Sequence, residues 1–277
     1  MLALRLPFDQ LMLFCMVLLR VIAIFVAMPV FSSRNLPGMI KAGLALAVAL
    51  AIFPVLDLGS VQGLENWVLL VVGATSEFLL GACLGLLVRL LFAGVQMAGQ
   101  IAGYQMGLAI ANIMDPATSL QIPILAQAYN LMAMLIFLSI DAHHWFFRSL
   151  VDSFRLLPLF HFRLSASVIN HLFDTAGAMF VIAVKIGAPV IVVLILTSVA
   201  FGLLARTVPQ MNIFIVAMPL KIMVGLAFVI FSLPYCRLFL VTLFRDFGAQ
   251  LNGVIRLMGP GGTRMASEKS DRTEKPA

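Results

Sequence analysis

The chain has 277 residues; 62% of them are hydrophobic, 11% are charged, and the formal net charge is +6 at pH 7. Soluble domains carry about 25% charged residues, so this composition excludes a soluble globular domain and indicates an integral membrane protein. The positive charge does not indicate a nucleic-acid-binding protein, because the basic residues are scattered along the chain and do not cluster with stacking aromatic residues.

Apolar segments recur along most of the sequence and predict an all-α, polytopic membrane domain over residues 1–258. In chain order the segments are 11–28, 42–53, 67–92, 124–140, 176–205 and 213–233. The second segment would be about 18 Å long as a helix, shorter than a hydrocarbon core of about 30 Å, so we expect it not to span lipid in the usual way. The tail over 259–277 is polar, carries both charge signs and has no aromatic residue, which predicts disorder.

Five ionisable residues interrupt the apolar segments: Arg20, Glu77, Arg89, Lys185 and Lys221. Each would cost about 2.5–3.5 kcal/mol at the centre of a bilayer, which makes these positions candidates for function or for pairing. Glu77 and Arg89 would be about 18 Å apart along one helix and could not pair within it. For Arg89, the alternative is a position near a helix end, from which the side chain reaches the interface.

A predicted helix that continues past residue 92 carries two neighbouring stripes of small or polar residues. Gly99, Gly103 and Gly107 recur at a spacing of four on one stripe, and Gln96, Gln100 and Tyr104 lie on the adjacent one. Small residues at this spacing allow another backbone to approach closely. Amide side chains are poor lipid-facing groups, so we expect this face to meet protein or water.

The segment after Gly107 is predicted to leave the helix, because a helix does not easily pass through both Pro116 and Pro123. It carries four polar residues among apolar ones: Asn112, Asp115, Ser119 and Gln121. Such a loop is too apolar for free solution and too irregular to face lipid, so it must be buried in protein or line a cavity. Two interpretations remain open, a structural re-entrant loop and a constriction or gate. In the second, the flexible Met106 and Met114 could close around a substrate.

Asp141, His143 and His144 are candidate metal ligands by residue type. Adjacent side chains on a helix or strand diverge, however, so we expect no metal site here. A membrane interface that also includes Trp145 and Arg148 is the preferred interpretation. The sequence contains no GxSxG, HExxH or P-loop motif and therefore predicts neither an enzyme nor a bound cofactor.

Several separated motifs stand in a recognisable order: GQIAGYQMG, MDPATSLQ, FLSIDAHHW, DSFRLLP, and GLLAR followed by PQMNIFIVAMPLKIMVGL. With them the sequence resembles the FliR/SctT family. Its FliR members belong to the flagellar type III export gate, and their close relatives serve the secretion injectisome. The likeness covers residues 1–258, and its motifs are specific.

This resemblance implies a non-enzymatic subunit of the flagellar export gate, through which unfolded export substrates cross the bacterial inner membrane at the flagellar basal body. Family members join P-type and Q-type export-gate proteins and the FlhB switch protein in a cone of helices raised largely above the bilayer plane. Each chain is folded as helical hairpins, with a P-like portion first and a Q-like hairpin last, which here would cover 175–235.

The family's plug within the pore corresponds to a loop over 108–124, in which the matching residues are Asn112, Met114, Asp115, Pro116 and Gln121. The turn of the final hairpin would contain Arg206, Pro209, Gln210 and Asn212, and Pro219 and Lys221 would bend and anchor its second helix. Two alternatives stay open. One is a secondary transporter for a small anion, motivated by the cations at membrane depth, and the other is a purely structural subunit that lines no pore.

Overall fold

The computed structural model describes residues 8–29, 37–56, 67–108, 123–160, 162, 165–207, 210 and 212–258. Helices account for 91% of these residues and no strand occurs among them, which confirms the prediction of an all-α chain. The α-helices are α1 (Phe8–Ala27), α2 (Gly38–Ile52), α3 (Trp67–Gln105), α4 (Ile124–Ser139), α5 (Ala142–Leu156), α6 (Ala166–Thr207) and α7 (Ile213–Leu257), and a short 3-10 turn, Phe53–Val55, follows α2.

Five helices, α1, α2, α3, α6 and α7, contain a stretch that is long and apolar enough to cross a membrane, and α4 with α5 could form a sixth, bent span. The prediction of a polytopic membrane protein is therefore confirmed. The prediction that the second apolar segment is too short was wrong, because the helix begins at Gly38, and with its 3-10 turn the segment has 18 residues. The segment predicted from the sequence began only at Ala42, one residue after the charged Lys41.

The last two helices are longer than a bilayer requires. α6 has 42 residues and α7 has 45, which correspond to about 63 Å and about 68 Å, against a hydrocarbon core of about 30 Å. α6 continues through Pro189, and α7 continues through Pro219 and Pro234. The predicted end of the last segment at residue 233 was wrong, because Pro234 does not stop the helix.

α5 is a helix that the sequence pattern did not predict, because its residues were assigned to a membrane interface. It is amphipathic: Phe146, Leu150 and Phe154, spaced by four, are buried, whereas Arg148 and Arg155 are exposed. This spacing places the three apolar side chains on one face of the helix.

The chain divides into two compact units. Unit 1 contains the described residues of Met1–Leu90, Asp141–Thr175 and Asp246–Ala277. Unit 2 contains those of Leu91–Ile140 and Ala176–Arg245. Each unit therefore brings together segments that are far apart in the sequence.

In unit 1, α1 packs against α2 and against the first part of α3. The approach of α1 to α3 is close, because a methyl group added to Gly81 would lie 2.7 Å from the Arg20 carbonyl oxygen. The Phe25 and Phe147 rings, with centroids 6.1 Å apart, join α1 to α5.

In unit 2, three phenylalanine rings join three helices. Phe92 of α3, Phe137 of α4 and Phe244 of α7 have their ring centroids 5.3–5.6 Å from one another. All three side chains are buried, and such aromatic contacts stabilise packing beyond the area that they bury. They fix the second part of α3 between α4 and α7.

Candidate functional site

The candidate site is the C-terminal end of α3 in unit 2, from which the predicted plug loop departs. The loop residues themselves, Asn112, Met114, Asp115, Pro116 and Gln121, lie outside the described residues. The structure describes the two ends of the segment, Leu108 and Pro123, and the helices that hold them. The site is therefore built from those helices.

The predicted glycine stripe of α3 packs against the beginning of α4. Gly99 is buried, and a methyl group added to it would lie 2.6 Å from Ala126 Cα and 2.8 Å from the Leu125 carbonyl oxygen. Gly103 is also buried, and a methyl group there would lie 3.8 Å from Leu125 Cβ. At Gly99 the backbone of α4 approaches closely, which is the kind of contact expected where small residues recur at this spacing.

Gly107 ends α3 in a left-handed conformation with φ +83°. The Gly107 N–H donates to the Tyr104 carbonyl at 3.0 Å, and the Leu108 N–H donates to the Gly103 carbonyl at 3.1 Å. These two bonds form a Schellman motif, which satisfies carbonyl groups that the helix end would leave unpaired. Gly107 is required at this position because a left-handed conformation is costly for most other residues.

α7 covers the same end of α3. Met106 is fully buried, and a methyl group added to Gly225 of α7 would lie 2.5 Å from Met106 Cε. About two turns earlier in α7, Met218 Cε would lie 3.5 Å from a methyl group added to Gly107. The Met218–Gly225 stretch of α7 therefore lies against the residues from which the loop departs.

Two residues predicted to bend and anchor the final hairpin lie within this stretch of α7. Pro219 is exposed and Lys221 is half-buried. On α3, Gln96 and Gln100 are half-buried and Tyr104 is exposed, so the predicted amide stripe lies at the edge of the contact. The glycines, and not the amides, make the buried contacts.

The predicted hairpin residues between α6 and α7 lie on the surface where the structure describes them. Arg206 is exposed in the last turn of α6, where a cation interacts favourably with the helix dipole. Gln210 and Asn212 are exposed, and the Asn212 carbonyl accepts a hydrogen bond from the Ile215 N–H at 3.2 Å. Pro209 lies outside the described residues.

Two contacts show that α6 and α7 run back along each other. Cys236 Sγ lies 3.9 Å from the Ile186 carbonyl oxygen, and Lys185 Nζ lies 5.9 Å from the centroid of the Phe239 ring. Ile186 precedes Thr207, the end of α6, by 21 residues, and Cys236 follows the start of α7 by 23 residues. Nearly equal distances from the connection are what an antiparallel hairpin requires.

Sequence reasoning missed a buried ion pair in unit 1. Arg20 of α1 and Glu77 of α3 have no exposed surface, and Arg20 Nε and Nη2 each lie 2.5 Å from Glu77 Oε2. Both residues had been singled out as charges within apolar segments, but 57 residues separate them and nothing in a single sequence links them. The pairing removes the cost of leaving either charge alone in an apolar environment.

Residues at the end of α5 and in the segment after it also contact this ion pair. The Leu157 carbonyl accepts hydrogen bonds from Arg20 Nη1 and Nη2, each at 3.2 Å, and the Phe154 ring centroid lies 4.2 Å from Arg20 Cζ. The second carboxylate oxygen of Glu77 accepts a hydrogen bond from the Phe160 N–H at 3.1 Å. Phe160 has φ 67°, a conformation that bulky residues rarely adopt unless their surroundings hold them. The arrangement is a structural clamp that ties α1, α3 and α5 together.

Comparisons with known proteins agree on one family. The family model described as bacterial export proteins, family 1, matches residues 11–247. The flagellar biosynthetic protein FliR of Bacillus subtilis is 39% identical over 219 residues, which cover 76% of this chain and 82% of that protein. The protein of the same name from Escherichia coli is 34% identical over 238 residues, which cover 86% and 90%. That from Aquifex aeolicus is 29% identical over 231 residues, which cover 82% and 88%.

Proposed function

The chain belongs to the bacterial export proteins of family 1, and from this premise we propose that it is a pore subunit of the flagellar type III export gate. Membership makes it a component of the flagellar protein export apparatus, and its several long apolar helices fit a multi-pass protein of the inner membrane. In the proposal, it has no enzymatic activity and forms part of the path by which unfolded substrates leave the cytoplasm.

The loop over 110–121 is proposed as the plug that closes this path at rest. The observation that supports the proposal is the packing of the helices that hold the two ends of the loop. α3 ends at a Schellman motif around Gly107, Gly103 packs against Leu125 at the start of α4, and Met106 is fixed under Gly225 of α7. A segment with both ends anchored on packed helices can be held in a pore or displaced from it without rearrangement of its supports.

The final hairpin is proposed as the Q-like portion of the chain, over 175–235, with a P-like portion before it. Its antiparallel course, given by the contacts of Ile186 with Cys236 and of Lys185 with Phe239, supports this assignment. The P-type and Q-type export-gate proteins and the FlhB switch protein are the proposed partners, at the flagellar basal body.

The surfaces of α6 and α7 support an assembly of this kind. Both helices expose large apolar side chains: Val184, Val192, Leu196, Leu203, Ile215, Met223, Ile230, Phe231 and Leu238. An isolated chain would leave these groups in contact with lipid or detergent, and neighbouring helices of an assembly would cover them.

The anion-transporter alternative loses part of its motivation. Of its four cations at apparent membrane depth, Arg20 is fully buried and neutralised by Glu77, so it cannot serve a substrate anion. Lys185 and Arg89 are exposed, and Lys221 is half-buried. A purely structural subunit remains the alternative that the experiment below must separate from a pore subunit.

The test replaces residues 110–121 with a short Gly-Ser linker and measures the permeability of vesicles that contain the assembled export gate to small ions. The short linker removes the bulk of the plug while Gly103 and Leu125 still fix its ends. We expect a higher leak than with the wild-type gate. Removal of 259–277, which lies outside the matched family region, is the control and should leave the leak unchanged.

Intact-complex mass determination on the same preparation decides how the result is interpreted. A shortened chain that assembles normally and leaves the vesicles as tight as the wild type would contradict the plug role and favour the purely structural subunit. A self-sufficient monomer with saturable uptake of a small anion would instead favour the transporter.

A further inference from the structure

Asp141, His143 and His144 form a cluster in unit 1, at the start of α5, that the export function leaves unexplained. Asp141 precedes the helix in a left-handed conformation, with φ 56° and ψ 27°, and its side chain makes no capping hydrogen bond to the helix. Ser, Thr, Asp and Asn at this position usually bond to a backbone N–H of the first turn. The Asp141 carboxylate is therefore not used by the helix that it precedes.

The two imidazoles lie side by side. Their ring centroids are 4.2 Å apart with an interplanar angle of 39°, so the expectation that adjacent histidines diverge was wrong for this pair. Helical side chains lean toward the N-terminus of their helix, and in the first turn no preceding turn separates them. Both rings consequently occupy the space next to Asp141.

The three side chains bring their ligand atoms close to one another. One such atom from each residue lies within 4.8 Å of the others. His144 Nδ1 and Asp141 Oδ1 are 3.6 Å apart. A tetrahedral zinc ion binds nitrogen and oxygen at about 2.0–2.2 Å, which places any two of its ligand atoms about 3.4 Å apart. The distance between the Asp141 and His144 ligand atoms is close to this value. The His143 ring must rotate before one of its nitrogens can face the same ion.

His143 supplies a second, independent observation. Its Nδ1 atom is buried and has no hydrogen-bond partner among the described residues. Buried polar atoms are nearly always partnered, so this nitrogen is a candidate ligand atom. The Asp141 and His144 side chains, 71% and 68% exposed, are open to ions from solution.

We propose that Asp141, His143 and His144 bind a divalent transition-metal ion of the zinc class. Two imidazoles and a carboxylate are suitable ligands for such an ion, and the exposed side of the cluster leaves the remaining position to water. The positive end of the α5 dipole disfavours a cation at this place. The carboxylate of Asp141 must offset that effect, so Asp141 is the ligand on which binding depends most.

The test titrates the purified full-length protein, carrying no polyhistidine tag, with ZnCl2 in mild detergent and measures bound zinc per chain. We expect one saturable site in the wild type. Asp141→Asn, His143→Ala and His144→Ala should each weaken binding at least tenfold. Asp141→Gly tests the carboxylate separately from the backbone conformation, because glycine adopts the left-handed turn but has no carboxylate. This variant should bind zinc as poorly as Asp141→Asn.

His171→Ala is the matched control, since His171 is a half-buried histidine of the same unit that lies outside the cluster. It should bind zinc like the wild type. Helix content and melting temperature without metal must match the wild type for a variant to count; His144→Ala meets this condition most easily because its side chain is exposed. The proposal is overturned if the wild type has no one-to-one site, if folded cluster variants bind like the wild type, or if His171→Ala loses binding equally.

Discussion

The centre of unit 1 and the centre of unit 2 hold their helices together by different chemistry. In unit 1, glycines bring α1 close to α3, and the fully buried Arg20–Glu77 pair then fixes the contact and the segment after α5. In unit 2, the contacts of α3 depend on shape: Gly99 admits the backbone of α4, and Gly225 admits the side chain of Met106. Lipid chains are as apolar as leucine, so membrane helices associate through such polar bonds and close approaches rather than through the hydrophobic effect.

The difference has consequences for what each unit tolerates. A buried ion pair is all-or-none, because removal of one partner leaves the other charge uncompensated. A steric contact is graded, because its cost grows with the added volume and falls where the neighbouring side chain can move. Substitutions in unit 1 should therefore cause larger losses than substitutions in unit 2.

Native tryptophan and cysteine residues allow the stability of each unit to be measured separately. Both tryptophans, Trp67 and Trp145, belong to unit 1, so tryptophan fluorescence reports on that unit. Cys236 of unit 2 is fully buried, whereas Cys15 is exposed and Cys83 half-buried. In a Cys15→Ser, Cys83→Ser background, the rate at which a membrane-permeant maleimide labels Cys236 reports on the opening of unit 2.

The largest effect is expected for Glu77→Ala. It leaves the Arg20 guanidinium buried without a counter-charge and frees the Phe160 N–H, and breaking a buried pair costs about 3–5 kcal/mol. Denaturant unfolding in mild detergent, followed by tryptophan fluorescence, should show this loss. Asp174→Asn, which removes an exposed carboxylate of the same unit, is the control and should change little.

The double variant Arg20→Met, Glu77→Leu distinguishes the effect of an uncompensated charge from the effect of the lost hydrogen bonds. It removes both charges and keeps apolar volume, so it should recover most of the stability that Glu77→Ala loses. If the double variant is as unstable as the single one, the hydrogen bonds to Leu157 and Phe160, and not the charge balance, hold the clamp.

These two centres differ in how far the sequence predicts them. The spacing of Gly99, Gly103 and Gly107 predicted a close approach on one face of α3, because a helical repeat is visible within a few residues of sequence. That α4 is the partner follows only from the fold. The Arg20–Glu77 pair could not be predicted at all, since it depends on how two distant helices pack, and opposite charges at apolar positions were the only available signal.

The sequence also predicted some helices and helix ends but not others. Apolar runs located six of the helices, but α5 was missed because its apolar residues are interspersed with charged and polar ones and form no continuous run. The continuation of α7 past Pro234 was missed because a proline usually marks a helix boundary. In long membrane helices, neighbouring groups can accommodate the lost hydrogen bond, and tertiary context then overrides the local signal.

A smaller effect is expected for Gly99→Leu. The added side chain would meet the Ala126 backbone, which cannot rotate away, so α3 and α4 must separate at a cost of about 1–3 kcal/mol. Labelling of Cys236 should become faster, by roughly tenfold for each 1.4 kcal/mol if opening limits the reaction. Gly202→Leu is the matched control, because a Cβ atom added to Gly202 would have none of the described atoms within 4 Å. Equal acceleration by both substitutions would contradict the α3–α4 contact as the cause, and helix propensity could not explain it because leucine favours a helix more than glycine does.

The smallest effect is expected for Gly225→Ala. The added methyl group meets only the side chain of Met106, which is unbranched and can change rotamer, so the cost should stay below about 1.5 kcal/mol. The Cys236 labelling rate measures it against Gly202→Ala. In a Met106→Ala background the same substitution should cost nothing further, because the side chain that it displaces is gone. A cost that is equal in both backgrounds would contradict the contact between Met106 and Gly225, and with it the proposed attachment of the plug to α7.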